Sequence, residues 1–127
     1  MAHLTLAQQA LALRGRFPTA RVSLGKTAVQ FVGDLTPTPV SRTYTVSISY
    51  RPGERPKVAV VAPRLERPPG KELPHTYDHD ELCLYFPQEW TPTMLIATTI
   101  VPWAAEWLLH YEIWLATDGT WCGGGHS

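Results

Sequence analysis

The residue of this sequence best suited to covalent chemistry is Cys83, which lies in the segment ELCLYFPQEWTP, residues 81–92. A cysteine reacts as its thiolate, and a nearby cation or helix N-terminus favours that form. His75 and His79 precede the cysteine, and a helix is predicted to begin near Pro92, so each can assist the thiol. The residues alone also allow a second interpretation, in which Cys83 is a small core residue of a short buried strand.

The segment HTYDHDE, residues 75–81, supplies the polar side chains that directly precede the cysteine. His75 and Tyr77 are the candidates for orienting the thiol or an incoming amine, and the carboxylates of the segment can attract a lysine. An ordinary solvated loop is the alternative interpretation of the same residues.

The glycine-rich end of the chain, WCGGGHS, contains Cys122 and His126. A zinc site can be drawn from these two residues with His75 and His79, but no Cys-x-x-Cys pair is present, so neither a metal nor a cofactor is expected. His126 can instead be a base for Cys83, or the tail can bind a partner. The remaining alternative is a flexible terminus.

The elements that must position these residues begin with one helix and a sheet. Leucines and alanines in residues 4–16 have helical spacing, and Phe17-Pro18 ends that helix. Four segments rich in Val, Ile, Thr and Tyr follow, which predicts an antiparallel meander: ARVSLG, AVQFVGDL, TYTVSISY and KVAVVAP. A proline-rich loop, residues 62–81, then leads into the cysteine.

The C-terminal part is predicted to be helical. Thr91 is predicted to cap a helix with Pro92 at its first position, and Pro102 to restart or kink it. Trp90 lies in the loop beside Cys83. One apolar helical stripe is predicted to face the core: Trp103, Trp107, Tyr111 and Trp114. The fold class is therefore α+β, with helices on an antiparallel sheet and a cysteine-bearing active-site loop, in one domain of residues 1–127.

Charge and composition restrict the function further. The 11 basic side chains balance the 11 acidic ones, which argues against a nucleic-acid partner bound through a broad basic face. The mostly apolar residues 94–116 contain Glu106 and Glu112, and a charge near a bilayer centre costs about 2.5–3.5 kcal/mol, so no membrane span is expected. Two cysteines are too few for a disulfide scaffold, so a cytoplasmic location is expected.

The predicted order of helices and strands, together with two local motifs, resembles the ubiquitin-conjugating enzyme (UBC) superfamily. SYRPGERPKVAVVAP, residues 49–63, is similar to that family's strand, proline turn, Pro-Lys-Val and strand. LCLYFPQEWTP, residues 82–92, is similar to its active-site segment of an apolar residue, the cysteine, Leu, and Trp-Ser-Pro. HTYDHDELCLYFP, PWAAEWLLHYEIW and GTWCGGGH resemble the compact bacterial branch that accompanies cGAS-like nucleotidyltransferases in CBASS antiphage operons.

The resemblance implies a UBC-like fold and a cysteine acyltransferase. Cys83 would form a thioester by transthiolation and conjugate or regulate a partner protein, a cGAS-like nucleotidyltransferase, in antiphage defence. Two other classes fit the same fold. One is a non-catalytic binding module, and the other is a cysteine hydrolase that removes conjugates with His75 or His126 as base.

The sequence departs from the superfamily at one functional position. Eukaryotic members carry His-Pro-Asn upstream, with Asn about eight residues before the cysteine, where its amide is thought to steady the oxyanion or the loop. Here that position is His75, and the chain contains no Asn. His75, Tyr77 or backbone N–H groups would have to supply that function.

Overall fold

The helices and strands follow the predicted order. The computed structural model describes residues 3–117 and 119–121. Helix α1 precedes four strands and helix α2 ends the fold: α1 Leu6–Arg16, β1 Arg21–Leu24, β2 Val29–Leu35, β3 Tyr44–Tyr50, β4 Lys57–Ala62 and α2 Ile100–Ala116. The strands form one antiparallel sheet in the order β1-β2-β3-β4. The predicted α+β class and four-stranded meander are therefore confirmed.

Helix α1 begins with a capping box. The Thr5 side-chain oxygen accepts from the Gln8 N–H at 3.1 Å, and the Gln8 side-chain oxygen accepts from the Thr5 N–H at 2.8 Å. These two bonds satisfy N–H groups that have no partner inside the helix. The helix ends before Phe17, whose N–H donates to the Leu13 carbonyl at 2.9 Å, because the residue before a proline avoids the helical region.

The core lies between one face of the sheet and the helices. Strand β3, whose sequence TYTVSISY alternates apolar and polar residues, buries Tyr44, Val46, Ile48 and Tyr50 on one face. Tyr44 meets Tyr111 of α2 edge to face, with ring centroids 6.3 Å apart. The predicted stripe on α2 is buried at three of its four positions, and Trp103 is only partly buried. In the described part of the chain, no helix is both long and apolar enough to span a bilayer.

The prediction of a helix starting at Pro92 was wrong. Short 3₁₀ turns at Pro87–Glu89 and Ile96–Thr98 come first, and α2 begins only at Ile100. Pro102 lies in the first turn of α2, where backbone N–H groups need no helical partner, so it does not begin a new helix. The reason is tertiary: Leu4 and Gln9 bind backbone groups of residues 92–96, which therefore do not enter an α-helix.

Gln9 of α1 is the main clamp on that segment. Its side chain is fully buried; its amide nitrogen donates to the Met94 carbonyl at 2.9 Å, and its oxygen accepts from the Ile96 N–H at 2.9 Å. The Leu4 N–H adds a bond to the Pro92 carbonyl at 2.9 Å. These contacts replace the bonds that a helix would have made.

Substitution of Gln9 by leucine is expected to lower the free energy of unfolding by about 2–4 kcal/mol, because a buried and a partly buried backbone group would lose their partners. Urea denaturation followed by tryptophan fluorescence measures the loss. Gln30→Leu, at an exposed position of β2, is the control and should change stability by less than about 0.5 kcal/mol. Equal stabilities for the two variants would contradict the claim that the Gln9 hydrogen bonds stabilise the fold.

Candidate active site

A short hairpin presents Cys83. Thr76 and Leu82 form an isolated antiparallel bridge, so the chain reverses between them. The Cys83 N–H donates to the His75 carbonyl at 2.9 Å, which extends the pairing by one residue to the thiol. The Leu82 N–H donates to the Val58 carbonyl at 2.8 Å and joins the hairpin to β4. The hairpin that bears Cys83 is therefore attached to the edge of the sheet.

His75 supports the thiol through its backbone. Its carbonyl accepts a second bond, from Trp107 Nε1 of α2 at 3.1 Å, so it links Cys83 to that helix. The His75 φ of 53° lies in the left-handed region. Its ring is tilted against Trp121, with centroids 4.9 Å apart. The structure thus brings His75 next to Cys83 and gives its carbonyl a positioning role.

Tyr77 contacts the thiol directly. Burial first, and a hydrogen bond with the Cys83 side chain second, raise the pKa of Tyr77 to about 12. The Arg55 guanidinium covers the Tyr77 ring, with its central carbon 4.1 Å from the centroid, and donates to both oxygens of Glu81 at 2.9 and 3.0 Å. The guanidinium therefore covers one face of the Tyr77 ring, and the phenol keeps its proton at neutral pH.

Cys83 forms part of the wall of a cavity of about 360 Å³. The residue itself is 6% exposed and is therefore buried, but it lies outside the four strands. Residues 83–86 make one side of the cavity, and Trp103, Trp107 and Trp121 make the aromatic walls. Cys83 is thus buried within the fold and also borders a space that a small group can enter.

Helix α2 contributes Glu106 and His110 to the same cavity. Glu106 Oε1 lies 3.6 Å from His110 Nε2. The sequence analysis did not select His110 as a site residue. A signal was present, because Trp103, Glu106, Trp107 and His110 are spaced i, i+3, i+4 and i+7 and so share one helix face.

Other predicted site residues lie elsewhere. His79 has a φ of 62° and borders a separate groove with Arg67 and Asp80, whose side chains are 2.6 Å apart. The helix N-terminus predicted near Pro92 does not exist. Within residues 3–117 and 119–121, no three His, Cys, Asp or Glu side chains cluster to hold a metal. Cys122 and His126, predicted as ligands, base or partner contacts, lie outside the described residues.

Trp90 joins the segment after the cysteine to the rest of the fold. Its side chain is buried, and its Nε1 donates to Thr99 Oγ1 at 3.0 Å. Its ring meets Tyr50 of β3 edge to face, with centroids 5.4 Å apart. The loop that follows the thiol is therefore fixed both to the sheet and to the residue that precedes α2.

Comparison with known protein families gives one match. A family model described as type II CBASS E2 protein matches residues 9–127, nearly the whole chain. None of the curated proteins matches the chain significantly.

Proposed function

The chain belongs to the type II CBASS E2 family, and from this membership we propose that Cys83 accepts an acyl group as a thioester and passes it to an amine. The partner we propose is a cGAS-like nucleotidyltransferase of the same antiphage system, which the protein conjugates or regulates. The family match supports a role of this kind. The geometry around Cys83 supports the assignment of the chemistry.

The observation that carries the proposal is the hydrogen bond between the side chains of Tyr77 and Cys83. Cys83 lines the cavity described above, and Tyr77 borders the groove that also contains His79. Because the pKa of Tyr77 is raised to about 12, the hydroxyl remains a hydrogen-bond donor at neutral pH. It can donate to the thiolate before attack and to the oxyanion of the tetrahedral intermediate. Tyr77 would thus serve in place of the asparagine that this chain lacks.

The proposed reaction exchanges one thioester for another and then forms an amide. The Cys83 thiolate attacks the carbonyl carbon of the incoming thioester, a new C–S bond forms, and the original thiolate leaves and takes up a proton. An amine then attacks the same carbon, a C–N bond forms, and Cys83 leaves as a thiolate. The step consumes no oxidant or reductant.

Intact-mass analysis of tagged protein from its native cells, with non-reducing gels, tests the covalent role. Wild type is expected to carry a thiol-labile adduct of protein mass, which Cys83→Ala abolishes and Cys122→Ala retains. The adduct mass would identify the partner. An adduct that survives Cys83→Ala, or its absence from wild type, would overturn the proposal.

The alternative of a non-catalytic binding module is favoured by one observation, the 6% exposure of Cys83. Alkylation by iodoacetamide under native conditions separates the two functions. A reactive thiol together with an adduct supports transfer. A folded protein whose Cys83 resists alkylation and carries no adduct would be a binding module.

A further inference from the structure

We propose that Arg55 is a positioning residue for the chemistry at Cys83, because its guanidinium holds the Tyr77 ring in the orientation that directs the phenol hydroxyl at the thiol. This inference deepens the proposed function and rests on it, since Tyr77 is the proposed donor to the oxyanion. Arg55 lies outside the segment that bears the cysteine, in the turn between β3 and β4. The site would therefore include a second part of the chain.

The hairpin by itself fixes the backbone of Tyr77 but not its side chain. The Tyr77 N–H donates to the Glu81 carbonyl at 2.7 Å, so these two residues face each other across the hairpin. The Tyr77 side chain is only partly buried and borders an open groove. A tyrosine at such a position has several staggered rotamers available, so further contacts are needed to select the one that reaches Cys83.

Arg55 supplies two such contacts, one to each side of the hairpin. Its guanidinium carbon lies 4.1 Å from the centroid of the Tyr77 ring. The same group donates to both carboxylate oxygens of Glu81, at 2.9 and 3.0 Å. A guanidinium is planar and its donors have a fixed geometry, so a bidentate bond to a carboxylate leaves it few orientations. The ring that it covers is restricted in turn.

The pair of Arg55 and Glu81 is itself attached to the fold. Pro56, which follows the arginine, is buried, and the Val58 carbonyl of β4 accepts the N–H of Leu82, the residue after Glu81. The Glu81 side chain is only 17% exposed, which shields the ion pair partly from water. Such shielding strengthens the attraction relative to that of a fully exposed pair.

Single-turnover loading of Cys83 measures the effect of Arg55. The donor is N-acetyl-glycyl-glycine as its 2-mercaptoethanesulfonate thioester, and intact mass follows the adduct. Arg55→Met keeps an unbranched apolar stem and removes the guanidinium. It is expected to load about tenfold more slowly than wild type, because a small misplacement of a catalytic group has a large effect on rate. Arg55→Lys should not restore the rate, since an ammonium cannot reproduce the bidentate bond.

A double-mutant cycle with Tyr77→Phe separates positioning from a general structural effect. If Arg55 acts through the Tyr77 hydroxyl, Arg55→Met should slow loading by less than about twofold once that hydroxyl is absent. The full effect of Arg55→Met in the Tyr77→Phe protein would overturn the inference. Arg51→Met is the matched control: Arg51 pairs with Glu54 at 3.8 Å in the same turn, and its variant should load within about twofold of wild type.

Nuclear Overhauser contacts between the Tyr77 ring and the Cys83 β-protons report the geometry without an acyl donor. These contacts are expected in wild type and in Arg51→Met, and they should be lost in Arg55→Met. Contacts of undiminished intensity in Arg55→Met would contradict the role of the guanidinium.

The two proposals can fail separately. If wild type loads and Arg55→Met loads equally fast, the thioester at Cys83 stands and the role of Arg55 is wrong. If wild-type Cys83 does not load, the proposed function fails, and the Overhauser contacts still decide whether Arg55 holds the Tyr77 ring.

Discussion

Tyr77→Phe is expected to slow thioester formation at Cys83 by about 10²-fold, because it removes the hydroxyl that contacts the thiol and would stabilise the oxyanion. The ring beneath Arg55 remains, so the free energy of unfolding should fall by no more than about 1.5 kcal/mol. Single-turnover loading by a peptide thioester measures the rate, and urea denaturation measures the stability.

Tyr44→Phe is the matched control. Its hydroxyl donates to Glu112 Oε2 at 2.8 Å, away from the thiol, so this variant should load within about twofold of wild type. The advantage of wild type over Tyr77→Phe should persist at mildly alkaline pH, because Tyr77 keeps its proton below a pKa of about 12. Wild-type loading by Tyr77→Phe would show that the hydroxyl plays no part in the chemistry.

Trp107→Ala is expected to lower the free energy of unfolding by about 3–5 kcal/mol, which is typical of a large aromatic removed from a core. Trp107 is 4% exposed and stacks on Tyr111, with ring centroids 5.8 Å apart and planes at 10°. The substitution also removes the Nε1–H bond to the His75 carbonyl and one wall of the cavity. Thermal and urea denaturation measure the loss.

Trp103→Ala provides the comparison for that experiment. Trp103 also borders the cavity but is only partly buried, so its removal should cost less than half as much as that of Trp107. A variant that retains its fold can be alkylated to ask whether Cys83 becomes more reactive. Equal costs for the two tryptophans would contradict the role of Trp107 as the link between α2 and the hairpin.

Local patterns were sufficient to predict most of the fold. The alternation in TYTVSISY predicted that β3 has one buried and one solvated face, and Phe17-Pro18 predicted the end of α1. Both patterns are local, because they depend only on residues that are neighbours in the sequence. The helix at Pro92 was predicted wrongly because its competitor is distant in sequence. Gln9 binds Met94 and Ile96 from more than 80 residues away, and such contacts leave no local pattern.

In the site as well, the sequence predicted residues of one local segment but not those that α2 contributes. Cys83, His75 and Tyr77 were selected from one short segment, and a hairpin within that segment brings them together; their catalytic roles stay predictions. His110 could not be selected in this way, because its place in the lining of the cavity that Cys83 borders depends on how α2 docks against the hairpin. Its spacing from Trp107 indicated a shared face but not what that face meets.

Hydrogen bonds join the hairpin that bears Cys83 to β4, through Leu82, and to α2, through His75. The preceding turn, closed by the Lys71 N–H on the Pro68 carbonyl at 3.1 Å, is exposed and contains Gly70 at a φ of 76°. We therefore expect that a change in the length of this turn does not displace the Cys83 thiol. We expect that a fluorescent reporter or an affinity peptide inserted after Gly70 leaves the geometry around Cys83 intact.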